Sequence, residues 1–292
     1  MPLPPKRALT AVIVTVEHQA AASTARMIES LRCLRLSCEV EVVIVQNGSR
    51  PNESEKLRSN CAPIGNVWVV ESTTNRGYFG GVKLGLEWFR ETQGELPEWV
   101  IVCNNDIRIE QPDFFDRLRL IDRRAFGVIA PRILSSQTSL DQNPFMVRRP
   151  SRWRVGELRF WLKSYHLALA HEKMSEWKKT GVSLKQKLFQ STPERAGSQP
   201  TAIYAPHGSF LIFSNQFFER GGFLDDGFFL FHEEIGVAET CRKVGLPIVY
   251  YPELYVHHEE HSSTGRRFTR SIYERQRRSF QHLTSKYLAD LI

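Results

Sequence analysis

The sequence predicts an α/β chain with a mostly parallel central sheet flanked by helices, and three observations lead there. Short β-branched runs such as Thr10-Ala-Val-Ile-Val-Thr-Val16 are apolar without alternation, as strands buried on both faces are. They alternate with segments of helical periodicity. Each run ends in a polar or glycine-containing turn, and sheets of this class bind ligands beyond the carboxyl ends of their strands.

Taken in order, Thr10 to Val16 is the first strand. Lys6 and Arg7 ahead of Ala8 to Val16 imitate a short signal peptide, but the run meets Glu17 and His18 with no small-residue cleavage site, so a buried strand is expected. Ser23 to Leu34 reads as a helix, and Val40 to Val45 as a second strand ending in Gln46-Asn47-Gly48-Ser49. The third strand, Asn66 to Val70, runs into Glu71-Ser-Thr-Thr-Asn-Arg-Gly77. A helix from about Val82 to Thr92 leads to a fourth strand, Trp99 to Cys103, which stops at Asn104-Asn105-Asp106.

From about residue 135 to 200 the composition shifts to Arg, Lys, Trp and Gln, which predicts a basic helical insert with a helix around Leu158 to Lys179. Strand character returns at Ser209 to Phe213. A Gly-Phe-rich loop, a helix over Glu233 to Val244, a strand over Ile248 to Pro252 and a basic C-terminal helix over 266–292 complete the chain.

Hydrophobic residues at 41% and charged residues at 24% exclude wholesale disorder and a multi-span membrane protein. A net charge of +7 and a pI near 9.2 favour anionic partners: nucleotide phosphates, nucleic acid or an anionic membrane face. Cys33, Cys38, Cys61, Cys103 and Cys241 are odd in number and never form a C-x-x-C pair, which argues for a reducing cytoplasm. No apolar stretch approaches the ~18 residues a membrane span needs, so any membrane contact would be peripheral.

Several residues are suited to chemistry. Asp106 follows a buried strand, where its carboxylate could hold Mg²⁺ or Mn²⁺ against a diphosphate, although a strand-end Asp also caps turns. Asn75-Arg-Gly-Tyr-Phe-Gly-Gly81 sets glycines between a strand and a helix, where a backbone can approach a ligand closely. It is neither G-x-G-x-x-G nor a P-loop, which counts against nicotinamide cofactors and ATP. Glu233 and Glu234 follow the aromatic loop Phe223 to Phe231 at a helix start, where acidic residues also serve as dipole partners. Such a pair could deprotonate a hydroxyl beside an aromatic platform. His257, His258 and His261, just past a strand, could bind metal or phosphate, or form a surface cluster.

These segments, in order, resemble glycosyltransferase family 2 of the GT-A fold, a Rossmann-like architecture, and in particular its bacterial rhamnosyltransferase-like and galactofuranosyltransferase-like members. The likeness runs from about residue 10 to 265 and rests on Val14-Thr-Val-Glu17, Gln46-Asn-Gly-Ser49, Asn75 to Gly81, Asn104-Asn-Asp106, Gly222-Phe-Leu-Asp-Asp-Gly-Phe-Phe229 with Glu233-Glu234, Pro252 with His258, and Ser263-Thr264.

The resemblance implies one catalytic domain over 1–265, with a nucleotide-sugar half at 1–125 and an acceptor half at 126–265 that carries the insert. It implies metal at Asp106 and His258, and Glu234 as base with Glu233 beside it. Nucleotide-sugar contacts would come from Thr15, Glu17, Gln46, Asn47, Asn75, Gly77, Gly80, Gly81, Asn105 and Asp106. Acceptor or sugar contacts would come from His207, Gly208, Asp225, Asp226, Phe229 and His232.

The implied reaction is inverting transfer from a nucleoside-diphosphate sugar, of dTDP-rhamnose or UDP-hexose type, to a glycan or lipid-linked saccharide acceptor in cell-surface polysaccharide biosynthesis. The expected location is the cytoplasm, where Trp153 to Lys163 reads either as a contact with the anionic inner face of the plasma membrane or as a basic solvated flap over the active site, and nucleic acid is not an expected partner.

The chain departs from the family at four places. Gln46 stands where an Asp usually touches base and ribose, Val16-Glu17 replaces Tyr-Asn, Glu234 replaces Asp in the acidic pair, and Gly236 replaces a further Asp. A catalytically degenerate member that binds glycan or scaffolds a complex is the alternative these departures raise. The Arg-rich stretch Arg266 to Arg278 raises a more remote one, a nucleic-acid-binding protein.

Overall fold

The structure, a computed structural model, describes residues 9–34, 38–48, 66–175, 199–260 and 268–292, with single positions 53, 55, 57 and 59 between them. Lys6, Arg7, Ala8, Ser49, Cys61, Lys179, His261, Ser263, Thr264, Gly265 and Arg266, which the sequence reading singled out, lie outside the described residues.

The first half follows the expected alternation: β1 (Leu9–Glu17), α1 (Ala21–Arg32), β2 (Glu39–Asn47), β3 (Val67–Ser72), α2 (Tyr78–Gln93) and β4 (Trp99–Asn104). After a short β5 (Ile107–Arg108) come α3 (Phe114–Arg119), β6 (Val128–Ser135) and α4 (Arg152–Trp161). The chain then forms β7 (Thr201–Ile203), β8 (Phe210–Ser214), α5 (Asn215–Glu219), α6 (Glu233–Val244), β9 (Ile248–His258) and α7 (Arg270–Lys286).

All the strands join one sheet in the order β3-β2-β1-β4-β8-β6-β9-β5, with β7 paired to β9. The block β3-β2-β1-β4 is parallel, as the β-branched runs predict. Beyond β4 the sheet is mixed, because β8 lies antiparallel to both β4 and β6 while β6 and β9 run parallel.

Burial explains the unbroken apolar runs. Val12 and Val14 of β1 join one core with Phe79, Phe89, Phe213 and α6 residues. Ala11 and Ile13 join a second core with Met27 and Ile28 of α1 and Phe114 of α3. With helices against both faces, no position along these strands needs to be polar.

Three boundaries differ from expectation for identifiable reasons. Helix α2 begins at Tyr78, so Gly80 and Gly81 sit in its first turn and not in a ligand-approach loop. A Cβ on Gly81 would lie 3.0 Å from Val16, and one on Gly85 would lie 2.8 Å from Val14 and Val45, so these glycines let the helix settle on the sheet.

Strand β6 gives a weak sequence signal because Pro131 interrupts it. The structure accommodates that proline at a register shift in which β9 advances from Tyr251 to Tyr255 while β6 advances from Pro131 to Arg132. The same irregularity carries β9 past Pro252, so His257 and His258 end the strand and do not follow it. The insert helix expected from Leu158 is two helices, α4 and another over 165–175, with residues 162–164 between them.

Candidate active site

The carboxyl ends of β1, β2 and β4 and the end of β9 bring Glu17, Gln46, Asp106 and His258 to one side of the sheet. Several predicted nucleotide contacts prove to build this edge. Asn47 donates through Nδ2 to Gly77 O at 2.8 Å and Asn75 Oδ1 at 3.2 Å, and its Oδ1 accepts from Arg76 N at 2.8 Å. Asn75 Oδ1 accepts from Gly77 N at 2.9 Å. Glu17, fully buried, accepts from Ala20 N at 2.6 Å, and Asn105 donates to Thr24 Oγ1 at 3.0 Å, so both hold the start of α1. Thr15 is buried beside Cys103, whose thiol burial pushes up to about 12.

Three side chains at this edge are left with unmet demand, Thr15 through its Oγ1, Gln46 and Asp106. Gln46 is 1% exposed, yet neither its Nε2 nor its Oε1 has a protein partner. Asp106 is buried, and its Oδ1 lies 3.2 Å from His258 Nε2 without hydrogen-bond geometry. His258 Nδ1 faces Gln142 Oε1 at 2.8 Å, so Nδ1 carries the proton and Nε2 presents its lone pair toward Asp106.

An anionic oxygen and an oriented imidazole are donors suited to a divalent cation. Among the described residues no three His, Cys, Asp or Glu side chains converge as a complete cage, and magnesium commonly takes one or two protein ligands and completes its shell with substrate phosphates.

Across from this edge lies the acidic pair. Phe231 (φ 76°) and His232 (φ 68°) are consecutive non-glycine residues in the left-handed region immediately before α6, a conformation that costs roughly 1–3 kcal/mol per residue and persists only when its surroundings enforce it. Helix α7 supplies that enforcement: Ser279 Oγ donates to Leu230 O at 2.8 Å, and Phe280 packs on His232. Burial holds His232 neutral, lowered to about 4.

Glu233 is buried with Oε1 unpartnered, and burial followed by the charge of Glu234 pushes it up to about 8. Glu234 is also raised by burial, while the Gly208 backbone amide donates to its carboxylate. A Cβ on Gly208 would stand 2.6 Å from Glu234 Oε1, so a larger residue there would displace that carboxylate. Gly236 is fixed likewise, because a Cβ would meet the Phe228 ring at 2.6 Å, so no Asp fits at that position.

His207 precedes this cradle. Its Nδ1 is engaged by Ser209 Oγ at 2.9 Å and Ser209 N at 3.3 Å, which assigns the proton to Nε2. Burial, then His258, lowers it to about 4.

Asp225 and Asp226, predicted to touch sugar, are used in the scaffold. Asp225 Oδ2 receives His282, Lys286 and Tyr287 at 2.8 Å each, and although burial opposes it, these donors hold its carboxyl well below the usual range. Asp226 pairs with Lys83 of α2 at 2.9 Å. The Phe229 ring has Arg275 over it at 5.0 Å, so it is not an open platform.

Sequence reasoning passed over Tyr78, Gln142 and Asn143. Tyr78 donates to Gly208 O at 3.3 Å, and its pKa is raised by burial and then by Cys103, Glu233, Glu234 and Asp106, which places its phenol near both Asp106 and the acidic pair. Its position in the middle of the glycine segment, directly after Gly77, was the available signal. Gln142 and Asn143 sit in no motif.

Gly77 fastens the two sides together. It has φ 76°, a Cβ would stand 2.2 Å from Phe229 O, and the next amide, Tyr78 N, donates to that oxygen at 3.0 Å. Gly77→Ala combines left-handed strain with a backbone clash and is expected to destabilise the fold by about 3 kcal/mol, measurable as a lowered denaturant midpoint.

Comparison with known proteins agrees with this geometry. The profile described as Glycosyl transferase family 2 matches residues 11–214. The chain is 25% identical over 215 residues to the Low-salt glycan biosynthesis hexosyltransferase Agl10 of Haloferax volcanii, which covers 73% of this chain and 57% of that protein, little more than half its length. Among solved structures it is similar to GalNAc-T7 with UDP, GalNAc and Mn²⁺, at a TM-score of 0.64 and 14% identity, covering 97% of this chain and 50% of that one. It is also similar to residues 1–349 of TarS from S. aureus, at a TM-score of 0.54 and 11% identity over 86% of this chain and 60% of that one. With the family profile spanning most of the chain and both structural likenesses sharing its architecture, the chain belongs to glycosyl transferase family 2 and has the GT-A fold.

Proposed function

We propose that this chain is a glycosyltransferase that moves a sugar, with inversion, from a nucleoside diphosphate of UDP-hexose or dTDP-rhamnose type to a hydroxyl of a growing glycan. The observation that carries this reading is the set of buried, unpartnered polar atoms on Gln46 and Asp106 at the carboxyl edge of the sheet and on Glu233 in the acidic pair across from it. A buried polar group without a partner costs about 1–3 kcal/mol, so such a set is maintained for a ligand that will pair with it.

Neighbouring strands lie ~4.8 Å apart, so Gln46 on β2 and Asp106 beyond β4 are separated by roughly 10 Å, the span of a nucleoside. This supports a base at Gln46 and a diphosphate at Asp106 and His258. A Mg²⁺ or Mn²⁺ ion held there would neutralise charge developing on the departing diphosphate. Glu234 takes the proton of the acceptor hydroxyl, the Gly208 amide orients its carboxylate, and Glu233 keeps a proton near neutral pH so that a single negative charge sits in the pair. Nothing in the scheme requires a covalent enzyme intermediate.

The stretch Trp153 to Lys163 supports a peripheral membrane contact. Trp153 is 88% exposed and Phe160 is 48% exposed on α4, beside Arg152, Arg154 and Arg159, a composition suited to the anionic inner face of a plasma membrane. Among the described residues no helix is long and apolar enough to cross a membrane.

Gln46→Leu tests the donor reading. It removes an unsatisfied buried amide, so the free protein is expected to gain about 1 kcal/mol of stability while UDP or dTDP binding weakens at least tenfold, measured by thermal unfolding and calorimetry with a UDP, dTDP and GDP panel. A variant that binds every nucleotide as the wild type does would refute a base contact at Gln46.

A further inference from the structure

We infer that Phe145, beside His207, is the platform on which a pyranose ring of the acceptor rests, an inference that builds on the proposed transferase reading and names its second substrate site. Phe145 is 46% exposed, and its ring meets the His207 imidazole edge to face, with centroids 5.8 Å apart and planes at 84°. His207 in turn lies 6.0 Å from His258 and immediately precedes Gly208, whose amide orients the Glu234 carboxylate. Phe145 is therefore linked to the proposed base through two residues adjacent in sequence, His207 and Gly208.

The open ring is rigidly mounted. Asn143 is 2% exposed; its Nδ2 donates to Pro131 O at 2.8 Å, and its Oδ1 accepts from His207 N at 2.8 Å. On the other side of Phe145, Met146 exchanges two backbone bonds with Ala205, each 3.0 Å. A phenyl group pinned on both flanks yet left half in water forgoes burial that is worth roughly 1.5–3 kcal/mol when complete. A pyranose ring has an apolar C–H face and a rim of hydroxyls, so it covers the phenyl group while a hydroxyl reaches His207 Nε2, the ring nitrogen that Ser209 leaves free.

Among the described residues the other exposed large aromatic side chains do not serve. Phe223 has Lys286 over it, Trp68 packs on Trp88, and Trp153 and Phe160 lie on α4 with no ring contact leading to the site.

Saturation-transfer NMR on the intact chain tests the platform without requiring turnover. The probes are the methyl glycosides of glucose, galactose, mannose and N-acetylglucosamine, with UDP as the donor-site probe. In the wild type, saturation is expected on the C–H protons of one face of at least one glycoside. Phe145→Ala should weaken that binding about tenfold, Phe145→Trp should retain it, and UDP saturation should be the same in all three proteins. Equal glycoside saturation in wild type and Phe145→Ala overturns the platform, as does no glycoside saturation in the wild type. Loss of UDP saturation together with glycoside saturation in Phe145→Ala also overturns it, since the change is then general. Absent saturation of UDP, and of dTDP used in its place, in the wild type refutes the donor reading, and the glycoside arm still judges Phe145 separately.

Discussion

Glu234→Gln is expected to lower kcat for sugar transfer by ~10²–10⁴-fold with little change in donor KM, because it removes the proton acceptor and keeps shape and hydrogen-bonding reach. The neighbouring carboxylate is a poor substitute: Glu233 is buried and pushed up to about 8, so it holds a proton through neutral pH. Glu234 is itself raised above its ordinary value by burial, and a base must be deprotonated, so the acid limb of kcat against pH in the wild type should lie above the usual carboxylate range.

Stability runs the opposite way. A carboxyl whose folded pKa is raised favours the fold below its unfolded value of about 4.5, and this contribution is lost as pH rises through about 8. Glu233→Gln should therefore be more stable than wild type above pH 8, by on the order of 2 kcal/mol, and indistinguishable at pH 4. An unchanged kcat in Glu234→Gln, with acceptor saturating, would remove Glu234 from the chemistry.

The parallel block was legible in the sequence because Thr10 to Val16, Val40 to Val45 and Trp99 to Cys103 are buried on both faces, and nothing but a two-faced apolar environment produces such runs. The antiparallel continuation was less so. Pro131 disguises β6 and Pro252 hides the second half of β9, and only pairing across the register shift reveals that both prolines are tolerated at one irregularity.

The ordered motifs singled out Asp106, His258, Glu233 and Glu234, but motif membership did not separate side chains with unpartnered polar atoms from side chains tied up in internal hydrogen bonds. Asn47, Asn75, Asn105 and Asp225 are consumed by internal hydrogen bonds, whereas Gln46, the departure from the family pattern, is the one with an idle amide. Tyr78, Phe145 and Gln142 act through neighbours distant in sequence, and one-dimensional spacing carries no trace of such contacts. The glycines show the same limit: Gly81 and Gly85 serve helix packing, and Gly208 makes room for Glu234.

Asp106→Ala is expected to lower transfer by at least ~10²-fold and to abolish stimulation by Mn²⁺, with chelation by EDTA reducing the wild type to a similar level. The cause lies in what Asp106 lacks. Its Oδ1 is buried without a hydrogen-bond partner, and the nearest group is an imidazole whose far nitrogen is engaged by Gln142. An anion in that position is costly to the free fold and is relieved when a cation binds. Alanine removes the unpaired charge, so the variant should fold at least as stably as wild type, and its loss of activity could not be assigned to unfolding.

A second readout isolates the metal from the chemistry. Mn²⁺ titrated into the protein with UDP and followed by electron paramagnetic resonance should bind tightly in wild type, weakly in Asp106→Ala, and about tenfold or more weakly in Gln142→Leu, which frees the His258 ring and its tautomer without touching a ligand. Equal Mn²⁺ binding in all three proteins, or full transfer by wild type in EDTA, would place the charge stabilisation of the leaving diphosphate on groups other than Asp106 and His258.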